Sequence, residues 1–469
     1  MSSKPDMTTT AGRIQDLRNR LDEAQAPAGQ DAIDAVHDAG AATARERVLR
    51  LLDEGSFVET DALAKHRVEA YKMDRTKPST DGVITGYGLI DGRRVCVFSQ
   101  DPTIFDGQIG EVYGEKVLKV YELATKTGVP LIGIYDSTGP RWKEGIVTAH
   151  VQAQILRAAT RASGLIPQIA VVAGDAAALA AATVPLADIT IVAEGASLSS
   201  ADSAQLSAGT DSEAVDLARK VLSYLPLNNK AASPLGGEPA DSQTDLDTII
   251  PDEDDQAYDV LEVINAVTDG DFLEFAEGFA DNVVTGVAHV SGRAIGVVAT
   301  QPRERDGRLS RDAARKAARF IRTCDAFNLP IVQFVDSPGF DSSEDEAGAA
   351  ALAYAFAEAQ VGTITVVTRK ALGSAYALLG SKGLGADLVF AWPTAQIALA
   401  DAETAAEAIG TDAAKYAEEN LNPYVATERG LVDAVIEPSA TRAQVLEGLR
   451  LLERKVAYPA QKKHGNIPL

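Results

Sequence analysis

Residues 81–100, DGVITGYGLIDGRRVCVFSQ, return as residues 281–300, DNVVTGVAHVSGRAIGVVAT. The offset of 200 holds further on, where VPLIGIYDSTG (129–139) answers to LPIVQFVDSPG (329–339). Val83, Thr85, Gly86, Gly92, Arg93 and Val97 recur, as do Lys116, Pro130, Asp136, Ser137 and Gly139. One register held over nearly sixty residues means two copies of one domain. A second echo begins earlier with a different spacing: Gly55, Phe57 and Glu59 match Gly270, Phe272 and Glu274.

Each copy alternates strand and helix. GRRVCVFSQD and GRAIGVVATQ follow glycine turns and read as strands. KVLKVYELATKTG and RKAARFIRTCDAFN carry an apolar stripe at helical spacing. VPLIGIYD and LPIVQFVD are short apolar runs of the kind found in buried parallel strands. The pattern predicts an α/β fold with parallel strands joined by helical crossovers. Ahead of the first copy, residues 11–24 and 41–53 read as amphipathic helices. The expected organisation is an N-terminal helical segment (1–40), a first domain (41–225), an acidic Pro/Gly-rich linker (226–255) and a second domain (256–469).

Composition narrows the function. The chain has 469 residues with 44 Lys and Arg against 67 Asp and Glu, a formal charge of −23. A surface that acidic lacks the basic footprint that nucleic acid or an anionic membrane requires. No apolar run approaches the roughly 18 residues of a membrane span, and MSSKPDMTTT has no signal-peptide core, so a cytoplasmic protein is expected. Cys96 and Cys324 lie in apolar stretches and read as buried, reduced and inert. Five His without a CxxC give no sign of a metal site. Arg45 and Arg47 read as surface charges on a capping helix.

Ligands of open parallel sheets gather at the carboxyl ends of strands. Asp136–Gly139 and Asp336–Gly339 fall there, as do Gly174 and Gly373–Ala375. In TRKALGSAYALLGSKGLGAD (368–387) a strand runs through a Gly-Ser-Ala turn into an apolar helix. The first N–H groups of such a helix are free to meet an anion or a developing oxyanion.

The strings GEVYGEKVLKVYELATKTGVPLIGIYDSTGPRWKEG and TRKALGSAYALLGSKGLGADLVFAWPTAQIA resemble the carboxyltransferase β subunit of biotin-dependent acyl-CoA carboxylases. The resemblance runs from TARER (43–47) to KHGNIPL. It implies a tandem duplication of crotonase-like ββα-superhelix domains, assembled with other β subunits as a homo- or hetero-hexamer. It also implies acyl-CoA on the N-terminal domain and biotin on the C-terminal one. The carboxyl group passes from carboxybiotin to the acyl α-carbon, and oxyanions develop on the thioester and on the biotin ureido group. Biotin must arrive on another polypeptide, the biotin carboxylase/biotin carrier α subunit, because no biotinyl Met-Lys-Met is present. By the same resemblance acyl-CoA binding falls to Asp136, Gly139, Arg141, Gly145 and Gly174. Biotin binding falls to Gly373, Tyr376 and Ala377.

The departures from the family pattern concern the oxyanion donors. The biotin-side pair falls on Ser374 and Ala375. The acyl-side Gly-Gly pair falls on Ala178 and Leu179, where side chains oppose the backbone conformation that glycine permits. Pro140 and Trp142 put bulk beside the expected CoA. An acidic SSEDEAG follows VDSPGF in place of a basic run. These losses leave two readings, a carboxyltransferase subunit or a catalytically weak paralogue acting as a structural or regulatory subunit. A hydratase would need paired Glu residues near the thioester, and the Ala-rich 176–182 stretch offers none.

Overall fold

The computed structural model describes residues 5–177, 180–198, 204–236, 244–254, 256–458 and 461–468. Two compact units divide the chain. Unit 1 comprises residues 1–223 with 227–229, and unit 2 comprises 224–226 with 230–469.

In unit 1 three helices come first: α1 (Thr10–Gln25), α2 (Gln30–Asp38) and α3 (Ala44–Leu51). A reciprocal capping box starts α3, with Thr43 accepting from the Glu46 N–H while the Glu46 carboxylate takes the Thr43 N–H. The sheet is built from β1 (Val58–Thr60), β2 (Val83–Ile90), β3 (Arg93–Gln100), β4 (Leu131–Ser137), β5 (Gln168–Ala176), β6 (Ile189–Ala193), β7 (Ser197–Leu198) and β8 (Leu206–Ala208). Its order is β1-β2-β3-β4-β5-β6-β8, and β7 pairs with the end of β5. β2 and β3 form an antiparallel hairpin across the Asp91-Gly92 turn, whereas β3 through β6 are parallel. The crossovers are α4 (Glu111–Thr127) and α5 (Ile146–Ala162), and α6 (Asp211–Leu222) closes the unit. Val117, Val120, Tyr121 and Ala124 of α4 pack with Phe98, Leu131 and Tyr135 of the strands in one apolar core.

Unit 2 repeats this plan with α7 (Val260–Val267), β9 (Leu273–Phe275), β10 (Val283–Val290), β11 (Arg293–Thr300), α8 (Arg311–Ala326) and β12 (Ile331–Ser337). α9 (Ser343–Gly348), α10 (Ala350–Glu358), β13 (Thr363–Leu372), α11 (Gly373–Leu378), β14 (Leu388–Ala391) and β15 (Gln396–Ala398) follow. α12 (Ala402–Ile409), α13 (Ala413–Asn420), α14 (Pro423–Glu428), β16 (Ala434–Val435) and α15 (Thr441–Leu452) complete it. The sheet order is β16-β14-β13-β12-β11-β10-β9, and β15 pairs with the end of β13.

The duplication extends to single bonds. Lys116 Nζ donates to the carbonyls of Thr80 and Val83, and Lys316 Nζ to those of Ala276 and Phe279. The Ile109 N–H donates to Gly139 O and the Leu309 N–H to Gly339 O. A buried lysine repeated on two apolar helix faces is the sequence trace of this joint. Cys96 and Cys324 are free and buried, and burial pushes the Cys96 thiol up to about 12.

Several described residues of the stretch expected as a linker make bonds or contacts within the units. Asn228 donates to Gly128 O in unit 1. In unit 2 Leu235 bridges Arg293 and Leu246 joins the core. Leu246 is buried there, with Ile249 and Ile250 packed against the same core, whereas Leu235 joins through its backbone and leaves its side chain exposed. Among the described residues no helix is long and apolar enough to cross a membrane, and no group of three or more His, Cys, Asp or Glu is placed to hold a metal.

Candidate functional site

The carboxyl ends of β4 and β12 carry the two copies of Asp-Ser-x-Gly, and in each the aspartate is the hub. The Asp136 N–H donates to Gln100 Oε1 at 2.7 Å, and the Asp336 N–H donates to Thr300 Oγ1 at the same distance. Gln100 in turn donates from Nε2 to the Tyr113 hydroxyl, which makes Tyr113 a buried supporting side chain. A left-handed glycine packs close against the backbone of each hub. A Cβ on Gly107 (φ +66) or Gly307 (φ +70) would lie 2.3 or 2.2 Å from the carbonyl oxygen of Asp136 or Asp336, so neither position has room for one.

The carboxylates are held by arginines from different places. Arg369 of β13 donates from Nε to Asp336 Oδ2 at 2.9 Å, and the Lys370 N–H donates to Oδ1 at 3.0 Å. Burial lifts the Asp336 carboxyl above its ordinary range, while Arg369 opposes the shift. In unit 1 the arginine is Arg47 of α3, whose Nη1 donates to Asp136 Oδ2 at 2.8 Å and whose Nε donates to Asp211 Oδ2 at 2.8 Å. Arg47 is 2% exposed, and Arg45 is ion-paired to Glu59 at 2.7 Å. The expectation of two surface charges is therefore corrected. A helical repeat reveals a charged position but not a carboxylate brought to it from 89 or 164 residues away.

Strand register shows why the source differs. Tyr135 faces Val172 and Ser137 faces Ala176; Val335 faces Val367 and Ser337 faces Ala371. Here residue 176 matches 371, so the offset has fallen to 195 and Gly174 stands where unit 2 has Arg369. A Cβ on Gly174 would lie 2.2 Å from Asp136 Oδ1, so the carboxylate fills the space that glycine leaves. The Asp175 N–H approaches that oxygen at 3.4 Å.

The remaining positions expected on the acyl side are spread over this strand end. Gly139 is buried, with φ +119, and Gly145 is exposed, with φ +67, at the start of α5. Arg141 is not presented to a ligand. It is 2% exposed, pairs with Asp81 at 2.7 Å and Glu144 at 2.8 Å, and lies over the Phe105 ring. Burial pushes the Asp81 carboxyl up, with Arg141 drawing it back. Trp142, expected to crowd the site, is 82% exposed. Ala178 and Leu179 lie outside the described residues.

In unit 2 the strand-to-helix turn has the expected form. Gly373 opens α11 with φ +52, and a Cβ there would come within 2.9 Å of Leu399 O. Ser374 and Tyr376 are half-buried, Ala375 is buried and Ala377 is exposed. Burial raises the Tyr376 hydroxyl. The first N–H groups of α11 have no acceptor within the helix, and the small side chains around them let a ligand reach the backbone. Sequence reasoning missed Arg47, Asp211 and the Gln100/Thr300 pair; the polar residues closing β3 and β11 at one repeat position were the available signal for the last.

Comparison with known proteins yields a single family. The carboxyl transferase domain model matches residues 35–201 and 202–467. The biotin-dependent acetyl-/propionyl-coenzyme A carboxylase beta5 subunit of Mycobacterium tuberculosis is 45% identical over 99% of this chain and 96% of its own length. That alignment spans 528 positions, more than the 469 residues present here, so the relative carries segments that this chain lacks. The methylmalonyl-CoA decarboxylase subunit alpha of Veillonella parvula is 38% identical over 99% of this chain and all of its own. A transcarboxylase 12S crystal structure, described as a hexamer assembly with hydrolysed methylmalonyl-coenzyme A bound, matches with a TM-score of 0.94 and 37% identity. It covers 98% of this chain and 99% of that one.

Proposed function

The chain belongs to the carboxyl transferase domain family, and from that membership we propose that it is the carboxyltransferase β subunit of a biotin-dependent acyl-CoA carboxylase complex. Its reaction moves a carboxyl group from carboxybiotin to the α-carbon of an acyl-CoA. The observation that carries the reading is the pair of Asp-Ser-x-Gly strand ends, held by equivalent bonds, in a fold that matches transcarboxylase 12S along its length.

Unit 1 is assigned the acyl-CoA, around Asp136, Gly139, Gly145 and Gly174. Arg141 contributes by clamping Asp81 and Glu144 rather than by meeting the ligand. Unit 2 is assigned biotin, around Gly373, Tyr376 and Ala377. The turn suits that group, because a side chain at Gly373 would close the space and backbone N–H donors match a ureido oxygen. Biotin, when bound, supplies the carboxyl group. The N–H groups of Ser374 and Ala375 would hold the ureido oxygen and would stabilise negative charge there, an effect of about 2.7–4 kcal/mol per donor in comparable sites. The family's acyl-side donors correspond to Ala178 and Leu179. Biotin reaches the chain on a separate α subunit, and the β chains form a hexamer, homomeric or with other β subunits.

The test is to incubate purified chain with carboxylated biotin carrier and acetyl- or propionyl-CoA. The expected result is malonyl- or methylmalonyl-CoA. No product with either substrate would overturn the reading in favour of a silent structural subunit, for which the relatives' names offer no support.

A further inference from the structure

We infer that Arg47 is the positioning residue of the acyl-CoA end of unit 1, acting through the Asp136 carboxylate on the Gly174–Asp175 backbone. The inference rests on the assignment of acyl-CoA to unit 1. Arg47 lies far from the strand ends in sequence, yet its guanidinium joins three elements. Nη1 reaches Asp136 at the end of β4, Nε reaches Asp211 at the start of α6, and the Ala42 N–H shares that Asp211 oxygen at 2.9 Å. The Asp136 carboxylate then bears on β5, with Oδ1 occupying the space beside Gly174 and facing the Asp175 N–H. Two residues on, the Ala177 N–H donates to Ser137 O at 3.2 Å, immediately before the donor positions expected at Ala178 and Leu179.

Unit 2 shows what the device replaces. There the arginine is built into the strand itself as Arg369, which holds Asp336 while its Nη1 donates to Gln256 O and its guanidinium lies over the Tyr258 ring, both in the segment leading into α7. Unit 1 has glycine at that strand position and imports the guanidinium from α3. The carboxylate end facing acyl-CoA thus draws its arginine from α3, outside the sheet, and depends on the packing of α3 and α6, whereas the biotin end draws its arginine from the sheet. A shift of Arg47 moves Asp136, and Asp136 moves the β5 backbone. Misplacing a reacting group by about 1 Å costs on the order of 10²-fold in rate.

The experiment is steady-state carboxyl transfer between methylmalonyl-CoA and free biotin with the full chain and its Arg47→Met, Arg47→Lys and Arg369→Met variants. Melting curves confirm that each variant is folded at the assay temperature. For Arg47→Met the expected result is a fall of about 10²-fold in kcat/KM for the CoA substrate, with the KM for biotin changed less than about twofold. Arg47→Lys, which restores the charge but only one of the two contacts, should recover part of the loss. Arg369→Met should show the opposite split. Equal effects of Arg47→Met on both substrates, or none on either, would overturn the inference. Inactive wild-type protein would instead overturn the functional reading on which it rests.

Discussion

Units 1 and 2 meet the same requirement by different means: each must fix a carboxylate at the end of a parallel strand, where backbone N–H groups gather. In unit 2 Asp336 is 2% exposed and its arginine sits on the neighbouring strand. In unit 1 Asp136 is 16% exposed and its arginine comes from a helix that precedes the sheet. A second exchange lies nearby. Arg141 stacks over Phe105 in unit 1, and at the corresponding places in unit 2 Asp341 pairs with Arg305 at 2.6 Å. The backbone joints were kept through the duplication while the side chains that brace them changed partners. Bracing can therefore diverge even when the strand ends do not.

The largest effects should come from the joints that the two units share. Gly107→Ala and Gly307→Ala each add a left-handed alanine and a Cβ within 2.3 Å of a carbonyl oxygen. Each should destabilise the protein by about 2–5 kcal/mol in denaturant unfolding. Tolerance at one position and not at the other would break the equivalence.

The buried lysines sharpen the comparison through pH. Burial lowers Lys116 to about 8, against 10.5 in the unfolded chain, and lowers Lys316 in the same direction. Below about 8 both states carry the proton and the cost of burying it is fully present. Between about 8 and 10.5 the unfolded chain holds more protons, so stability rises with pH. Relative to Lys116→Met, wild type should gain up to about 3 kcal/mol across that window. A difference that stays flat with pH would contradict the burial of a charged amine.

Gly174→Ala should cost about 1–3 kcal/mol by displacing the Asp136 carboxylate, and should raise the KM for acyl-CoA but not for biotin. An unchanged KM for acyl-CoA would separate this contact from function. The smallest effect belongs to Arg50, one turn from Arg47 on the same helix and about half exposed in its pair with Asp216. Arg50→Ala should change stability by less than about 1 kcal/mol, against about 3–5 for Arg47→Met. Similar losses at the two positions would remove the distinction between a bracing arginine and a surface one.

The architecture was legible in the sequence because strand and helix periodicities are local and the 200-residue echo doubled the signal. Asp136 and Asp336 could be read for the same reason, as polar residues ending apolar runs. Arg47 could not, because what buries it is a pair of carboxylates distant in the chain. Arg141 was visible as a cation beside the site, but its partner Asp81 lies 60 residues away and turns it inward. The change of offset from 200 to 195 likewise appears only in strand pairing, where Gly174 aligns with Arg369 rather than with Ser374.

The most direct test of the division of labour is calorimetric titration of propionyl-CoA into wild-type, Arg47→Met and Arg369→Met protein. The account predicts micromolar binding to wild type and to Arg369→Met, and a large loss for Arg47→Met alone. Equal affinity across the three proteins, or a loss confined to Arg369→Met, would contradict the assignment of acyl-CoA to unit 1.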